Sequence, residues 1–305
     1  MNKKNKKDFL TLRDHSSETI KYLLDLAGNI KSNPSKYSKV LEGKNIALLF
    51  DKQSTRTRLS FEVGISQMGG NAIYLDAKTL QLSRGETHGD TAKIFSGYLD
   101  AVVIRTFSHS TVEIFAKEGS IPVINGLTDA YHPCQILSDL FTIKEIGLLK
   151  PGLKFTYLGD SNNVTNSLII GLAKLGFDMT IGSPAEYGPD QDILEYAENT
   201  CGSKIFVVSD PVKAVKDADI IYTDVWISMG DHQSSQKIKI LAGYQLNSEL
   251  LKNASKDVII MHCLPAHRGE EITAEVLDSP GSIILRQAEN RLYAQKALLA
   301  YIFES

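Results

Sequence analysis

Short apolar runs rich in β-branched residues alternate with helix-length segments along most of this 305-residue chain. Between the runs, segments such as GDTAKIFSGYL and HPCQILSDLFTIKEIG repeat their apolar residues every three to four positions, as one face of a helix does. This alternation predicts an α/β fold with parallel sheets, and the near-continuous apolar strands indicate that both sheet faces are covered. The strand candidates are NIALLFD, NAIYLD, DAVVIRT, IPVINGL, KFTYLGD, FDMTIGS, KIFVVSD, DIIYTDVW, DVIIMHCL and SIILRQ.

A break near residues 148–155 divides the pattern into two α/β domains of similar size. In LLKPGLKF a helical segment ends, Pro151 and Gly152 interrupt the chain, and a new strand begins. We therefore expect domains at residues 1–148 and 149–288, joined by helices. The last segment, ENRLYAQKALLAYIFES, has the pattern of an amphipathic helix.

The composition excludes several classes of protein. With 43% hydrophobic residues, 23% charged residues and a net charge of -3, the chain has the composition of an ordinary soluble protein. No apolar run approaches the ~18 residues of a membrane span, and the lysine-rich start MNKKNKKDFL lacks the apolar core of a signal peptide. The slightly acidic balance disfavours nucleic-acid binding, and three scattered cysteines without CxxC or HExxH favour a reducing cytoplasm over a disulfide framework or a zinc site.

The run STRTR, Ser54 to Arg58, follows one strand candidate and opens a helical segment. Ligands collect at the carboxyl ends of parallel strands, and a helix N-terminus offers free N–H groups to an anion. We expect Ser54 or Thr55 to cap the helix, and the hydroxyls, the amides and Arg56 to bind a phosphate. A capped helix with a solvated arginine is the alternative reading.

Two more strand ends carry polar residues. Arg105 ends DAVVIRT, and His132 and Gln135 flank Pro133 where a helix is expected to begin. A histidine and a carboxamide so placed can hold a carbonyl oxygen and an amide nitrogen together. Taken alone, Arg105 is equally compatible with a surface arginine, and an isolated HPxQ favours a helix-capping histidine with an exposed glutamine.

A fourth polar strand end is VIIMHCLPAHRGEEI, where a strand candidate runs into Cys263. The thiol could be a nucleophile, a ligand or a core residue, and the last of these is the commonest fate of a free cysteine. His262, His267 and Arg268 lie close enough in sequence to lower the pKa of the thiol.

Six motifs together resemble the aspartate/ornithine carbamoyltransferase family and, within it, the ornithine carbamoyltransferases. They are STRTR, HPCQ, GDSNNVTNS, DVWISMGD, HCLPAHRGEE and ENRLYAQKA, and the likeness spans the chain from about residue 8 onward. The resemblance implies two Rossmann-like domains, the first binding carbamoyl phosphate and completed by the helix at 289–305, the second binding ornithine. It also implies carbamoyl transfer to the δ-amine of L-ornithine, no metal or organic cofactor, and a homotrimer, or a larger assembly, with shared active sites.

The resemblance also assigns residues to the carbamoyl phosphate site. Arg105 would bridge phosphate and carbonyl oxygen, His132 would donate to that oxygen, and Gln135 would hold the amide. Gln81 would come from a neighbouring subunit. The full expected set is Ser54, Thr55, Arg56, Thr57, Gln81, Arg105, His132, Gln135, Cys263, Leu264 and Arg291.

For ornithine, the resemblance implies that the α-amino and α-carboxylate groups are held by Asn163, Asp224, Ser228 and Met229. It places Cys263 beside the δ-nitrogen. Arg105, His132 and Cys263 would then be the catalytic residues. We expect Cys263 to orient the amine and share in its deprotonation without forming a covalent intermediate.

Several other functions remain open at this stage. Aspartate carbamoyltransferases share STRTR and HPxQ but lack HCLP and SMG, and a putrescine enzyme would not need Asp224, Ser228 and Met229. An acylated ornithine such as N-acetylornithine is a possible acceptor, because one loop can change that choice. A nucleotide-binding oxidoreductase is disfavoured because GDSNNV replaces GxGxxG after the strand. A non-catalytic carbamoyl phosphate-binding regulator is the remaining alternative.

Overall fold

The structure, a computed structural model, describes residues 6–227 and 235–304. It forms two compact units: one runs up to Phe141 and includes the stretch from Asn290 onward, and the other covers Thr142–Glu289. Each unit is built on its own parallel sheet with helices between successive strands, as the alternating sequence pattern predicts. The start of the lysine-rich tail, residues 1–5, lies outside the described residues.

The first unit has a four-stranded parallel sheet in the order β2-β1-β3-β4. Strand β3 is buried throughout and β1 is buried from Ile46 onward, whereas β2, at one edge, is only partly covered. Its strands are β1 Asn45–Phe50, β2 Asn71–Asp76, β3 Ala101–Arg105 and β4 Val123–Leu127; its helices are α1 Ser17–Ser32, α2 Thr55–Gln67, α3 His88–Tyr98, α4 His109–Glu118 and the start of α5 Pro133–Glu145. One core cluster fills the space between this sheet, α3 and α4 with side chains such as Leu49, Ile104 and Phe115.

The second unit has a five-stranded parallel sheet in the order β7-β6-β5-β8-β9. Helix α6 is buried continuously from Val164 to Ala173: three buried polar residues, Thr165, Asn166 and Ser167, precede the largely apolar run that begins at Leu168. The strands are β5 Phe155–Leu158, β6 Met179–Gly182, β7 Ile205–Val208, β8 Ile220–Thr223 and β9 Ile259–His262; the helices are α6 Asn163–Lys174, α7 Gln191–Cys201, α8 Pro211–Ala214, α9 Ser235–Leu241, α10 Ser248–Leu251, α11 Ala274–Leu277 and the start of α12 Ile284–Phe303.

Strand order creates a switch point in each sheet. The chain leaves β1 toward β2 and then returns to the other side of β1 for β3; likewise it leaves β5 toward β6 and returns beside β5 for β8. At such a point the connections diverge and open a crevice at the carboxyl ends of the strands. The polar strand ends singled out in the sequence are those of β1, β3, β4 and β9, at or beside these crevices.

The prediction of a strand at SIILRQ is wrong. Ser282 forms only an isolated bridge with Ile260, and helix α12 begins at Ile284. Two adjacent isoleucines give this segment a strand-like composition, but Gln287 N–H already bonds to the Ile283 carbonyl in helical register. The segment therefore belongs to the long C-terminal helix. Among the described residues, no helix has the length and apolar character that would let it cross a membrane.

Candidate active site

The STRTR run forms the first turn of α2 directly after β1. Ser54 is the N-cap residue, and its hydroxyl accepts the N–H of Thr57 at 3.2 Å, which confirms the predicted cap. Thr55 is exposed and Arg56 half-buried, while the Thr57 side chain is buried. The free N–H groups and the positive dipole end of a 13-residue helix therefore lie at the β1 strand end, where an anion is favoured.

Arg291 on α12 joins this helix start to the start of α5. One guanidinium nitrogen, Nη2, donates to Thr57 Oγ1 at 3.0 Å, and the other, Nη1, donates to Gln135 Oε1. The arginine is 2% exposed. Its rigid fork thus fixes two of the predicted ligand-binding side chains relative to each other.

His132 lies between β4 and α5, with Pro133 as the first residue of the helix, as expected. Burial lowers the pKa of the imidazole well below 6.5, and the nearby positive charges of Arg291, Arg105 and Arg56 lower it further. The ring is therefore neutral at neutral pH. A neutral imidazole carries one N–H, which can donate to an oxygen that gains negative charge.

Arg105 is the last residue of β3 and is 8% exposed. Strands β1, β3 and β4 are adjacent, so Ser54, Arg105 and His132 emerge at the same edge of the sheet. Gln81 differs from these residues, because it lies exposed on a 3-10 turn after β2. Cys134, within the HPCQ motif, is buried and donates to the Asn125 carbonyl, and burial raises the pKa of its thiol to about 12.

In the second unit, Cys263 and Asp224 lie side by side at the ends of β9 and β8. The thiol Sγ donates to Asp224 Oδ1 at 2.8 Å, which places a titratable pair at the switch-point edge. Asp224 also accepts the side-chain amide of Asn162 at 2.9 Å and the N–H of Val225 at 2.8 Å. Cys263 is half-buried, so it is not the fully buried core cysteine of the alternative reading.

The turn after Cys263 is held by His262. Leu264 has a positive φ of 59°, which is costly for a branched side chain, and its N–H donates to His262 Nδ1 at 2.8 Å. Since Nδ1 accepts, the ring proton is on Nε2 and is donated to Glu271 at 3.1 Å. Both ring nitrogens are thus engaged in shaping the turn. Glu271 and Gln287, which accepts the His262 N–H, were not singled out in the sequence.

Arg268 and His267, which lie close to Cys263 in sequence, interact with acidic side chains other than those beside the thiol. Arg268 forms two bonds with Asp278, at 2.6 and 2.9 Å, and both side chains are largely exposed. His267 lies 3.4 Å from Glu270. Neither interaction places a positive charge on Cys263.

A metal ion could in principle be held by Asp224, His262 and Cys263, because one potential ligand atom from each lies within 4.8 Å of the others. These groups already bond to one another or to the protein, as described above. A metal would have to break that network. Ligand atoms of His267, Glu270 and Glu271 lie equally close to one another, although His267 is exposed and Glu271 is fully buried.

Asn163 begins α6 after the β5 turn, and its neighbour Asn162 caps the helix by accepting two backbone N–H groups. The turn requires a glycine at 159, where φ is 122° and a Cβ would meet the Trp226 indole at 3.4 Å. Trp226 is 1% exposed and therefore has a packing role. Ser228 and Met229 lie outside the described residues.

Comparisons with known proteins agree with the family resemblance. Residues 7–145 match the family model described as "Aspartate/ornithine carbamoyltransferase, carbamoyl-P binding domain". Residues 151–302 match the one described as "Aspartate/ornithine carbamoyltransferase, Asp/Orn binding domain".

Individual relatives are similar over nearly the whole chain. The ornithine carbamoyltransferase of Bacillus subtilis (strain 168) is 54% identical over 97% of this chain and 93% of its own length. The solved ornithine carbamoyltransferase of Pyrococcus furiosus is 48% identical, with a TM-score of 0.92 and 96% of each chain covered. The anabolic enzyme of Campylobacter jejuni is 42% identical, with a TM-score of 0.91 and coverage of 97% of this chain and 98% of that one. The chain belongs to the aspartate/ornithine carbamoyltransferase family.

Proposed function

We propose that this protein transfers the carbamoyl group of carbamoyl phosphate to the δ-amine of L-ornithine and releases L-citrulline and phosphate. The observation that carries the proposal is the neutral His132. Burial and the charges of Arg291, Arg105 and Arg56 lower its pKa, and it lies in the part of the chain that matches a carbamoyl phosphate-binding domain. The relatives named above are ornithine carbamoyltransferases, which favours ornithine over aspartate as the acceptor. Putrescine and N-acetylornithine are the acceptors to exclude.

In this proposal the first unit binds the leaving group and polarises the carbonyl. The free amides of α2 and the side chains of Ser54, Thr55, Arg56 and Thr57 hold the phosphate. Arg105 bridges the phosphate and the carbonyl oxygen. His132 donates its one N–H to that oxygen as negative charge builds up in the tetrahedral transition state, a contribution that preorganised donors commonly supply.

The second unit binds the amine. A δ-ammonium resembles lysine, with a pKa of about 10.4, so presenting the free amine at pH 7 costs roughly 3.4 pK units or ~4.6 kcal/mol. Desolvation and a nearby proton acceptor offset this cost. The Cys263–Asp224 pair is bonded at 2.8 Å, and it is the proposed group that orients the amine and shares its proton. The leaving phosphate is the competing acceptor.

Other residue assignments remain part of the proposal. Asp224 and Asn163, with Ser228 and Met229, hold the α-amino and α-carboxylate groups of ornithine. Cys263 and Leu264 also touch carbamoyl phosphate. Gln81, exposed in the single chain, reaches the phosphate of a neighbouring protomer in a homotrimer. The expected setting is arginine biosynthesis in the cytoplasm.

The direct test is a parallel assay of carbamoyl transfer. Purified protein would receive carbamoyl phosphate with L-ornithine, N-acetyl-L-ornithine, putrescine or L-aspartate. We expect turnover chiefly with L-ornithine. Turnover of a different amine would retain carbamoyl transfer and overturn the ornithine assignments, whereas binding of carbamoyl phosphate without any turnover would favour the regulatory alternative.

A further inference from the structure

A buried carboxylate that none of the assignments above uses lies one helical turn from Gln135. Asp139 on α5 is 0% exposed, and its Oδ1 accepts the Gln135 side-chain N–H, from Nε2, at 2.9 Å. The two residues are four positions apart, so they share one face of the helix. Burying a carboxylate is costly unless it serves several partners, which makes its position beside a ligand-binding carboxamide informative.

The two neighbours of Gln135 fix which end of its carboxamide points where. The Arg291 guanidinium can only donate, and the Asp139 carboxylate, when ionised, can only accept. Gln135 meets both with Oε1 toward Arg291 and Nε2 toward Asp139. The reversed amide would set its oxygen against a carboxylate and its N–H groups against a cation. Only one of the two nearly isosteric orientations satisfies both partners.

This orientation decides what Gln135 can recognise. A carbonyl oxygen has two lone pairs, and Oε1 uses one of them for Arg291. The remaining lone pair is an acceptor. A carbamoyl NH₂ is purely a donor, so it needs an acceptor and would be repelled by an amide turned the other way.

We propose that Asp139 is the positioning residue that turns the acceptor end of Gln135 toward the carbamoyl NH₂, so that the site prefers carbamoyl phosphate to acyl phosphates without an N–H. This inference rests on the proposed function and deepens it. A site built to bond a substrate N–H discriminates strongly against the analogue that lacks it, because its own polar group is left unpaired. Acetyl phosphate, with a methyl group in place of NH₂, is that analogue.

The test compares two variants that separate the acceptor from the charge. Asp139→Leu has a similar branched shape without an acceptor, and Asp139→Asn keeps an acceptor oxygen but loses the charge. For each, the KM for carbamoyl phosphate is measured in the citrulline assay, with acetyl phosphate and inorganic phosphate as competitive inhibitors. Melting temperatures identify any variant that does not fold.

We expect D139L to raise the KM for carbamoyl phosphate by roughly 10- to 100-fold, because Gln135 loses its fixed orientation and a buried N–H loses its acceptor. The inhibition constants for acetyl phosphate and phosphate should not rise, since a lost negative charge near arginines favours an anion. D139N should stay within about threefold of wild type, because the carboxamide oxygen of the substituted side chain can still accept from Gln135. In a Gln135→Ala background, adding D139L should raise the KM no further.

Each contrary result has a distinct meaning. Equal effects of D139L and D139N would mean that charge, not the acceptor, matters, and a parallel rise in the phosphate inhibition constant would mean general damage to the site; either outcome overturns the assignment. If D139L does not fold, Asp139→Ala, which also lacks an acceptor, takes its place, and failure of both would give Asp139 a purely structural role. If the wild-type protein does not prefer carbamoyl phosphate to phosphate, the proposed function itself fails.

Discussion

Replacing Arg291 by methionine tests whether the guanidinium fork organises the carbamoyl phosphate site. The wild-type fork donates to Thr57 at 3.0 Å and to Gln135, and the residue is almost fully buried. Methionine has a similar length and preserves the packing, but it leaves both acceptors without their donor. The substitution therefore removes the two hydrogen bonds of the guanidinium group with little change in side-chain volume.

The magnitude follows from the two lost bonds. A hydrogen bond to a charged group contributes roughly 1.5–3 kcal/mol. Two bonds in one network are not additive, so we take ~3–4 kcal/mol in total. At 1.36 kcal/mol per decade, kcat/KM for carbamoyl phosphate should fall by roughly a hundred- to a thousandfold. Any direct contact of Arg291 with the ligand would add to this loss.

A matched control lies on the same helix. Lys296 is also almost fully buried, and its Nζ donates to Gln67 Oε1 at 3.1 Å, within the same unit. Lys296→Met removes a buried cation but no predicted site contact, so it should alter the melting temperature and leave the KM for carbamoyl phosphate near the wild-type value. The assay is citrulline formation with carbamoyl phosphate varied. A loss of activity of similar size in both variants, or a KM within threefold of wild type for Arg291→Met, would refute the reasoning.

Three further outcomes follow from the site geometry. His132→Leu, whose side chain has no N–H to donate, should lower kcat by roughly 10²–10³-fold, as for loss of one oxyanion donor, and an unchanged kcat in stopped-flow or steady-state assays would exclude that role. The pKa of His132 is lowered in the folded protein. Below pH 6.5 this histidine therefore binds a proton in the unfolded chain but stays unprotonated in the folded chain. Stability from this group is therefore present above pH 6.5 and lost as pH falls, by at most ~1.4 kcal/mol per pH unit. Denaturant titrations at several pH values measure the free energy of unfolding of wild type and of His132→Gln. The stability advantage of wild type over the variant should become smaller as the pH falls, and an advantage that does not change with pH would contradict this. Intact-mass measurements during turnover should detect no carbamoyl adduct on Cys263, and Cys263→Ala should slow ornithine turnover; an adduct formed as fast as turnover would disprove the non-covalent role.

Much of the fold and the polar residues at several strand ends could be predicted from local sequence. Strand ends are visible because an apolar run stops at a polar residue, as at Arg105, and the Ser54 cap follows from its position before a helical segment. The boundary of α12 was missed because adjacent isoleucines at 283 and 284 resemble a strand locally. Only the long-range packing of the helix decides between the two conformations.

Contacts between distant residues could not be predicted in this way. Thr57 and Arg291 are 234 positions apart, and nothing near either residue indicates the other. The left-handed backbone of Leu264 depends on His262 and, through it, on buried Glu271. Motifs therefore locate the residues proposed to bind ligands, but the groups that orient these residues become visible only in the folded chain.

Each of the two sheets has a switch point in its strand order, but the residues at the two switch points suit ligand groups of opposite charge. In the first, the strand ends and the helix that returns to them carry Arg105, His132 and Arg291, and the neutral imidazole adds an N–H donor without adding a charge. In the second, the strand ends carry Asp224 and Cys263, whose carboxylate and thiol can accept or share a proton. Donors and cations stabilise a phosphate and a developing oxyanion, whereas an acidic pair favours an amine that must lose its proton. Because strand order opens a crevice whatever residues line it, the charge of the residues at each strand end, rather than the fold, assigns the phosphate to one unit and the amine to the other.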